Sequence, residues 1–229
     1  MEHLHNGFTL ELCDGAFPLS TDSIALSGFV KLPSNARVLD LGAGCGTLGM
    51  LLSADHPDCT VTGIEIDNNA HHTALHNAAA NGVTDRYSSI CADIGSIDTL
   101  IEPGHFHVCV SNPPYFADGP KSKAHPTARQ ELLCPMQTLF KAASRALRYG
   151  GDFFLVHRPE RFAELCAVAA GQNLEPKRVC LLRHQKSSPV TLVLVQCRKG
   201  AKSGLIWEEA YLHEDDSSPS EYFKTLYHL

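Results

Sequence analysis

At 229 residues, with 44% apolar and 19% charged side chains, the chain has the length and balance of one large domain able to bury its own core. No run of about 18 apolar residues occurs, so no membrane span is predicted, and Met1–His5 lacks the basic and apolar regions of a secretory signal. The nine cysteines are scattered and never form a Cys-x-x-Cys pair, which fits buried thiols in a reducing cytoplasm rather than a disulfide framework. The helically spaced His72/His76 and the strand-spaced His105/His107 lack the Cys or carboxylate neighbours of a ligand set, so no metal is predicted. A monomer is the default expectation.

In chain order, residues 1–20 read as an irregular or short β opening segment, punctuated by Gly7, Gly15 and Pro18. Thr21-Asp22 caps a helix to about Val30, and Pro33-Ser34-Asn35 breaks it. Arg37-Val-Leu-Asp-Leu41 is a first strand, followed by a glycine turn over 42–46 and a helix to about Ala54. Cys59–Ile66 is a second strand, and Asp67 caps an alanine-rich helix that Asn81-Gly82 ends. Tyr87–Cys91 and residues 106–111 are the third and fourth strands.

Residues 116–134 form a long polar loop, of a length that in a compact domain usually carries function. A helix from Pro135 to Arg148, a fifth strand over Asp152–Val156 and a helix from Arg158 to Ala170 follow. Arg178–Leu182 and Val190–Cys197 close as an antiparallel pair, and the tail beyond about residue 200 has no clear pattern. Strands separated by helices predict an α/β, Rossmann-like domain: a mostly parallel, twisted seven-stranded sheet with a C-terminal antiparallel hairpin and helices on both faces.

Three carboxylates fall at the ends of successive strands, where open α/β sheets bind ligands. Asp40 precedes the turn Gly42-Ala43-Gly44-Cys45-Gly46, whose glycines let backbone approach a ligand and whose helix start offers free N–H groups. Glu65, about 20 residues on, is placed to hold both hydroxyls of a ribose, and Asp93 to accept from an adenine amine. Their apolar neighbours Ile66 and Ile94 complete the set. Gly44–Gly49 also reads as Gly-x-Gly-x-x-Gly, so a dinucleotide enzyme competes. A carboxylate just before the turn suits the cationic head of S-adenosylmethionine better than a pyrophosphate.

The fourth strand runs into Asn112-Pro113-Pro114-Tyr115. Two prolines make a stiff corner with free carbonyls, Asn112 adds a side-chain acceptor and Tyr115 a flat ring. A planar, amine-bearing substrate requires such a corner. Charge segregation adds a partner: 15 of the 19 Lys+Arg but only 5 of the 25 Asp+Glu lie between Lys121 and Lys202. A polyanion-binding face opposite an acidic body follows.

Together these motifs resemble the class I methyltransferases that modify planar amino nitrogens. Within them, the chain is most similar to the bacterial tRNA adenine-N6 methyltransferases that act just 3′ of the anticodon of a valine tRNA. The similarity runs from Pro18 to Lys199 and includes Pro18–Leu26, Asn112–Phe116, Ala128-Arg129, Phe154–Arg161 and Leu174–Arg178. It departs at His107 and at Gln130.

The resemblance implies that Asn112 and the Pro113 carbonyl accept the two N–H bonds of the target amine, with Pro114 and Tyr115 completing the corner and Tyr115 stacking on the base. It implies S-adenosylmethionine as cofactor, held by Thr21, Asp22, Asp40, Gly42, Ala43, Gly44, Gly46, Glu65, Ile66, Asp93, Ile94 and Asn112. Lys121, Lys123, Arg129, Arg158, Arg161, Lys177, Arg178 and Arg183 would contact a tRNA anticodon loop beside the cofactor mouth. The alternatives are an N-methyltransferase acting on a protein glutamine amide, guanine N2 of RNA or another planar amine such as a small molecule, and a non-catalytic RNA-binding module.

Overall fold

The computed structural model describes residues 1–4, 7–16, 18–113 and 136–229. A short antiparallel pair, β1 (Glu2–His3) and β2 (Thr9–Leu10), opens the chain. Then come α1 (Thr21–Phe29), β3 (Arg37–Leu41), α2 (Thr47–Asp55), β4 (Thr60–Glu65), α3 (Asn68–Ala80) and β5 (Tyr87–Cys91). A 3-10 turn (Ile94–Ser96) and the short α4 (Ile97–Leu100) lead into β6 (Phe106–Ser111). The second half contains α5 (Met136–Ala146), β7 (Leu147–His157), a 3-10 turn (Pro159–Arg161), α6 (Phe162–Gly171), β8 (Leu174–Gln185), β9 (Val190–Lys199), β10 (Ile206–His213) and α7 (Glu221–Leu226).

The main sheet has the order β10-β8-β9-β7-β6-β3-β4-β5. Its neighbours pair in parallel except that β9 runs against both β7 and β8. The chain builds outward from β3 through β4 to β5, then returns to the other side of β3 as β6. That reversal opens a crevice at the carboxyl ends of β3 and β6, as expected of an open α/β sheet. All seven expected strands are present; the eighth, β10, lies in the tail.

Alternation along the strands divides the core in two. Val38, Val61, Val108, Val110 and Phe154 face the layer containing α1, α2, α3 and α7. Leu39, Leu41, Ile64, Cys109, Phe153 and Leu155 face the layer containing α4, α5 and α6. β3 is buried on both faces beyond the exposed Arg37, which is why it reads as an apolar run, and Asp40 is its one buried charged residue.

Two local expectations change. Ser20, not Thr21-Asp22, caps α1: its side chain accepts from the Ser23 amide, leaving Asp22 in the first turn. The tail is structured. β10 adds to the sheet edge parallel to β8, burying Ala210 and Leu212, and α7 returns to lay Leu226 against Gly28 of α1. A Cβ at Gly28 would lie 2.5 Å from Leu226 Cδ2, so the glycine permits this contact. Leu226→Ala is therefore expected to cost about 2–3 kcal/mol in urea unfolding, as for a packed leucine; a free helix end would show no change.

Candidate active site

Two hydrogen-bonded ties bring the halves of the site together. Ser111, the last residue of β6, is buried and donates its hydroxyl to the Leu41 carbonyl at 2.7 Å, joining the ends of β6 and β3. Asn112 therefore follows β6 at the point where Gly42 follows β3. Across the crevice, the Asn112 amide donates to Oγ of Ser23 on α1 at 3.0 Å. Ser23 is itself buried, so the helix end and the strand end hold one another. Asn112 and Pro113 are half-buried. Pro114, Tyr115, Lys121, Lys123 and Arg129 lie outside the described residues, as does the 116–134 loop.

The glycine turn is tied to the next strand: the amides of Gly42 and Ala43 donate to the Ile64 carbonyl at 3.0 and 3.1 Å. Gly42, Gly44 and Gly46 have φ of 77°, 55° and 82°, a region that strains any side-chain-bearing residue. At Gly42 and Gly44 a Cβ would meet nothing within 4 Å, so the turn presents open backbone to the crevice. Glu65 Oε2 accepts from the Gly44 amide and Oε1 from the Asp67 amide, both at 2.8 Å, fixing the carboxylate at the end of β4. Beside it Ile66 leaves 47% of its surface exposed, an apolar face in a polar crevice. Asp93 caps the following 3-10 turn through the Gly95 amide at 2.7 Å, and Ile94 is buried beneath it.

Asp40 is the electrostatic anomaly. It is 1% exposed, and among the described residues neither carboxylate oxygen has a hydrogen-bond partner. Burial, reinforced by the Glu65 charge and only partly offset by the Gly49 backbone amide at the head of α2, raises its pKa from 3.8 to about 7. An unpaired buried carboxylate under an open glycine turn fits a ligand carrying a positive charge. The residues present therefore fit S-adenosylmethionine, whose ammonium or sulfonium would give Asp40 the partner that the protein withholds.

The first turn of α1 continues the site. Thr21 and Asp22 line a cavity of about 310 Å³ with Arg158, His184 and Thr191, at the carboxyl end of the sheet. Thr21 Oγ1 also lies 3.5 Å from the Tyr227 hydroxyl, beyond α7.

The expected basic face is redistributed. Arg158 follows the end of β7, on the Asn112 side, and donates to the Thr191 carbonyl at 3.3 Å. Arg161 forms a two-point pair with Glu164 at 2.8 and 2.9 Å. Arg183 bonds the Ser188 carbonyl at 2.8 Å and pairs with Glu209 at 3.7 Å, bracing the β8–β9 turn. Lys177 and Arg178 do not lie beside the crevice. Both sit near the start of β8, the sheet end opposite Asn112. Lys177 bonds the Lys202 carbonyl at 3.0 Å. Arg178 is 8% exposed, stacked 3.8 Å from the Phe29 ring centroid, bonded to the Phe29 carbonyl at 3.0 Å and paired with Glu208 at 3.0 Å. Its partners come from α1 and β10, elements remote in sequence, so the RNA contact that the resemblance implied for Arg178 is not available to it.

The model of the methyltransferase small domain matches residues 22–166, from the head of α1 to α6. A curated tRNA1(Val) (adenine(37)-N6)-methyltransferase from Vibrio parahaemolyticus is 31% identical over 199 residues, covering 84% of this chain and 80% of that protein. The chain belongs to this methyltransferase family. A relative of the same name from Pseudoalteromonas translucida is 32% identical over 182 residues, covering 79% of this chain and 77% of the relative. One from Bacteroides fragilis is 28% identical over 183 residues, covering 79% and 76%. Among solved structures, a predicted O-methyltransferase from Agrobacterium tumefaciens superposes with a TM-score of 0.77 at 22% identity, covering 91% of this chain and 96% of that one. This likeness shows the Rossmann-like methyltransferase fold.

Ser23 and Ser111 were not singled out from sequence. The only signal was a serine in each case within or ending an apolar element. Two outcomes follow for this methyltransferase. Ser23→Ala is expected to lower kcat by roughly tenfold while leaving cofactor Kd unchanged, because it loosens Asn112 alone. Asp40 has a folded pKa above its ordinary value, so its ionisation destabilises the ligand-free protein as pH rises from about 4 to about 7 and remains a full cost above that. Asp40→Asn should therefore raise Tm by roughly 5 °C at pH 8 and leave it unchanged at pH 4, in calorimetry of the ligand-free protein.

Proposed function

We propose that this methyltransferase transfers the methyl group of S-adenosylmethionine to the exocyclic N6 of an adenine in tRNA, at the position 3′ of the anticodon. The observation that carries the reading is the placement of Asn112 at the end of β6, tied to Leu41 through Ser111 and to α1 through Ser23, directly beside the glycine turn. The names of the curated relatives support the tRNA substrate.

An exocyclic amine is a poor nucleophile because its lone pair is delocalised into the ring. Asn112 and the Pro113 carbonyl accept the two N–H bonds, which favours a pyramidal nitrogen with its lone pair free. Tyr115 stacks on the base, and Pro114 keeps the corner rigid. Positioning thus replaces a strong base. S-adenosylmethionine supplies an electrophilic methyl group on a sulfonium. Asp40, the turn Gly42–Gly46, Glu65, Ile66, Asp93 and Ile94 hold the cofactor, with Thr21 and Asp22 at the head of α1.

A base in an anticodon loop reaches this corner more cheaply than one in a duplex, since little stacking is lost. Arg158 and Arg183, at the Asn112 end of the sheet, together with Lys121, Lys123 and Arg129, contact RNA phosphates; Arg161 contributes from beside its Glu164 pair. The protein acts in the cytoplasm, as a single domain.

The deciding assay incubates purified protein with labelled S-adenosylmethionine and separately with total tRNA, DNA and release factor, then identifies the methylated product. N6-methyladenine in tRNA is expected; label on glutamine would overturn the reading. Asn112→Ala should abolish transfer and retain cofactor binding. Arg158→Glu should weaken tRNA binding and reduce the slope of log K against log salt by about one.

A further inference from the structure

Tyr87 is the largest buried polar side chain near the site to which no role has been given. It opens β5 opposite Val61 of β4, while Gly63, two residues on, lies opposite Asp40 of β3. The period of two along a strand puts Tyr87, Gly63 and Asp40 on one face of the sheet, beneath α2. Gly63 has no side chain, so the Tyr87 ring extends across it toward Asp40. A Cβ at Gly63 would lie 3.0 Å from the Tyr87 hydroxyl, and one at Gly46 would lie 2.9 Å from it. A Cβ at Gly49 would overlap the ring edge. Three glycines, from β4, the turn and α2, thus enclose one phenol.

This enclosure exceeds what packing needs. Tyr87 is 4% exposed, and its hydroxyl has no hydrogen-bond partner among the described residues. A buried phenol normally finds one. The Asp40 oxygens in the same layer have no side-chain partner among the described residues either, and only the Gly49 backbone amide of α2 helps to stabilise their charge. One group is a donor and the other an acceptor. Burial first, then the charges of Asp40, Cys45 and Glu65, push the phenol's pKa far up, so it remains protonated and able to donate. Those three groups are also the titratable neighbours that face the pair from β3, the turn and β4.

We infer that Tyr87 is a positioning residue for the cofactor carboxylate: its hydroxyl donates to ionised Asp40, directly or through one water, and holds it beneath the glycine turn. This inference rests on the assignment of Asp40 to the cofactor. A phenylalanine would fill the same space without serving the charge, so packing alone does not require the hydroxyl.

Tyr87→Phe keeps the ring and removes the donor. By carboxyl NMR of ligand-free protein, the Asp40 midpoint is expected to rise by about one pH unit, with Tm at pH 5 unchanged. By calorimetry, the S-adenosylmethionine Kd should rise by roughly fivefold at pH 7 and converge on wild type by pH 9, where Asp40 is ionised in both. An unmoved Asp40 midpoint, or a Kd change equal at every pH and matched by a lower Tm, would overturn the inference and leave Tyr87 as packing. Asp40→Asn separates the underlying assignment: unchanged cofactor binding there removes Asp40 from the cofactor site, whatever Tyr87→Phe does to the midpoint.

Discussion

The parallel pairing of β3 with β6 is the constraint from which the site follows. The chain leaves β3 toward one edge of the sheet and returns to β6 on the other side, so their carboxyl ends diverge in connection while remaining adjacent in space. Anything following β3 therefore faces anything following β6. Here a turn of open backbone follows one strand, and a side-chain amide followed by proline follows the other. The Ser111–Leu41 hydrogen bond sets their separation, because it joins the last residues before each. Methyl transfer demands that donor and acceptor groups meet within bonding distance and in line, and a strand pair buried on both faces is among the stiffest supports a fold offers.

A second consequence is an electrostatic imbalance. Asp40 occupies a position where its neighbours on β3 are apolar, and among the described residues no side chain pairs with its carboxylate. That arrangement is unfavourable in the ligand-free state and raises the pKa to about 7. Such strain is consistent with a site whose missing partner is a cation brought in from outside. Glu65 differs although its charge is the same: two backbone amides hold it, and it lies at the rim. Two carboxylates about one strand apart thus have distinct roles, set by their surroundings. The opening segment is tied to the glycine turn, since Asn77 of α3 and the following Asn81 clamp the backbone of Glu11 and Thr9, and Asn77 also bonds the Cys45 carbonyl.

Most of the fold was legible in the order of residues. β3, β5 and β6 coincide with their expected spans; in β3 and β6 the apolar runs report burial directly, whereas in β5 only Tyr87 is buried. Asp67 caps α3 as expected, through the Asn69 and Ala70 amides at 2.9 Å. β10 and α7 were not legible: one buries only alternate small or aliphatic residues at a sheet edge, and the other is too short for a helical period. The basic face was legible only in part. Arg178 lies in a stretch rich in cations, but its acidic partner Glu208 comes from a strand added later in the chain and holds it at the far end of the sheet.

By itself the sequence determined the chemistry at each strand end: a carboxylate before a glycine turn, a carboxylate a strand later, and an Asn-Pro-Pro-Tyr corner. These are local patterns, set by backbone dihedrals and the donors and acceptors of single residues. Only the tertiary structure decided which of them meet, which cations remain near the crevice, that Ser23 and Ser111 tie the strand and helix ends together, and that Tyr87 lies enclosed on the Asp40 face of the sheet. Their positions depend on sheet register and on the empty space above three glycines, and register is a relation between strands that no single strand encodes.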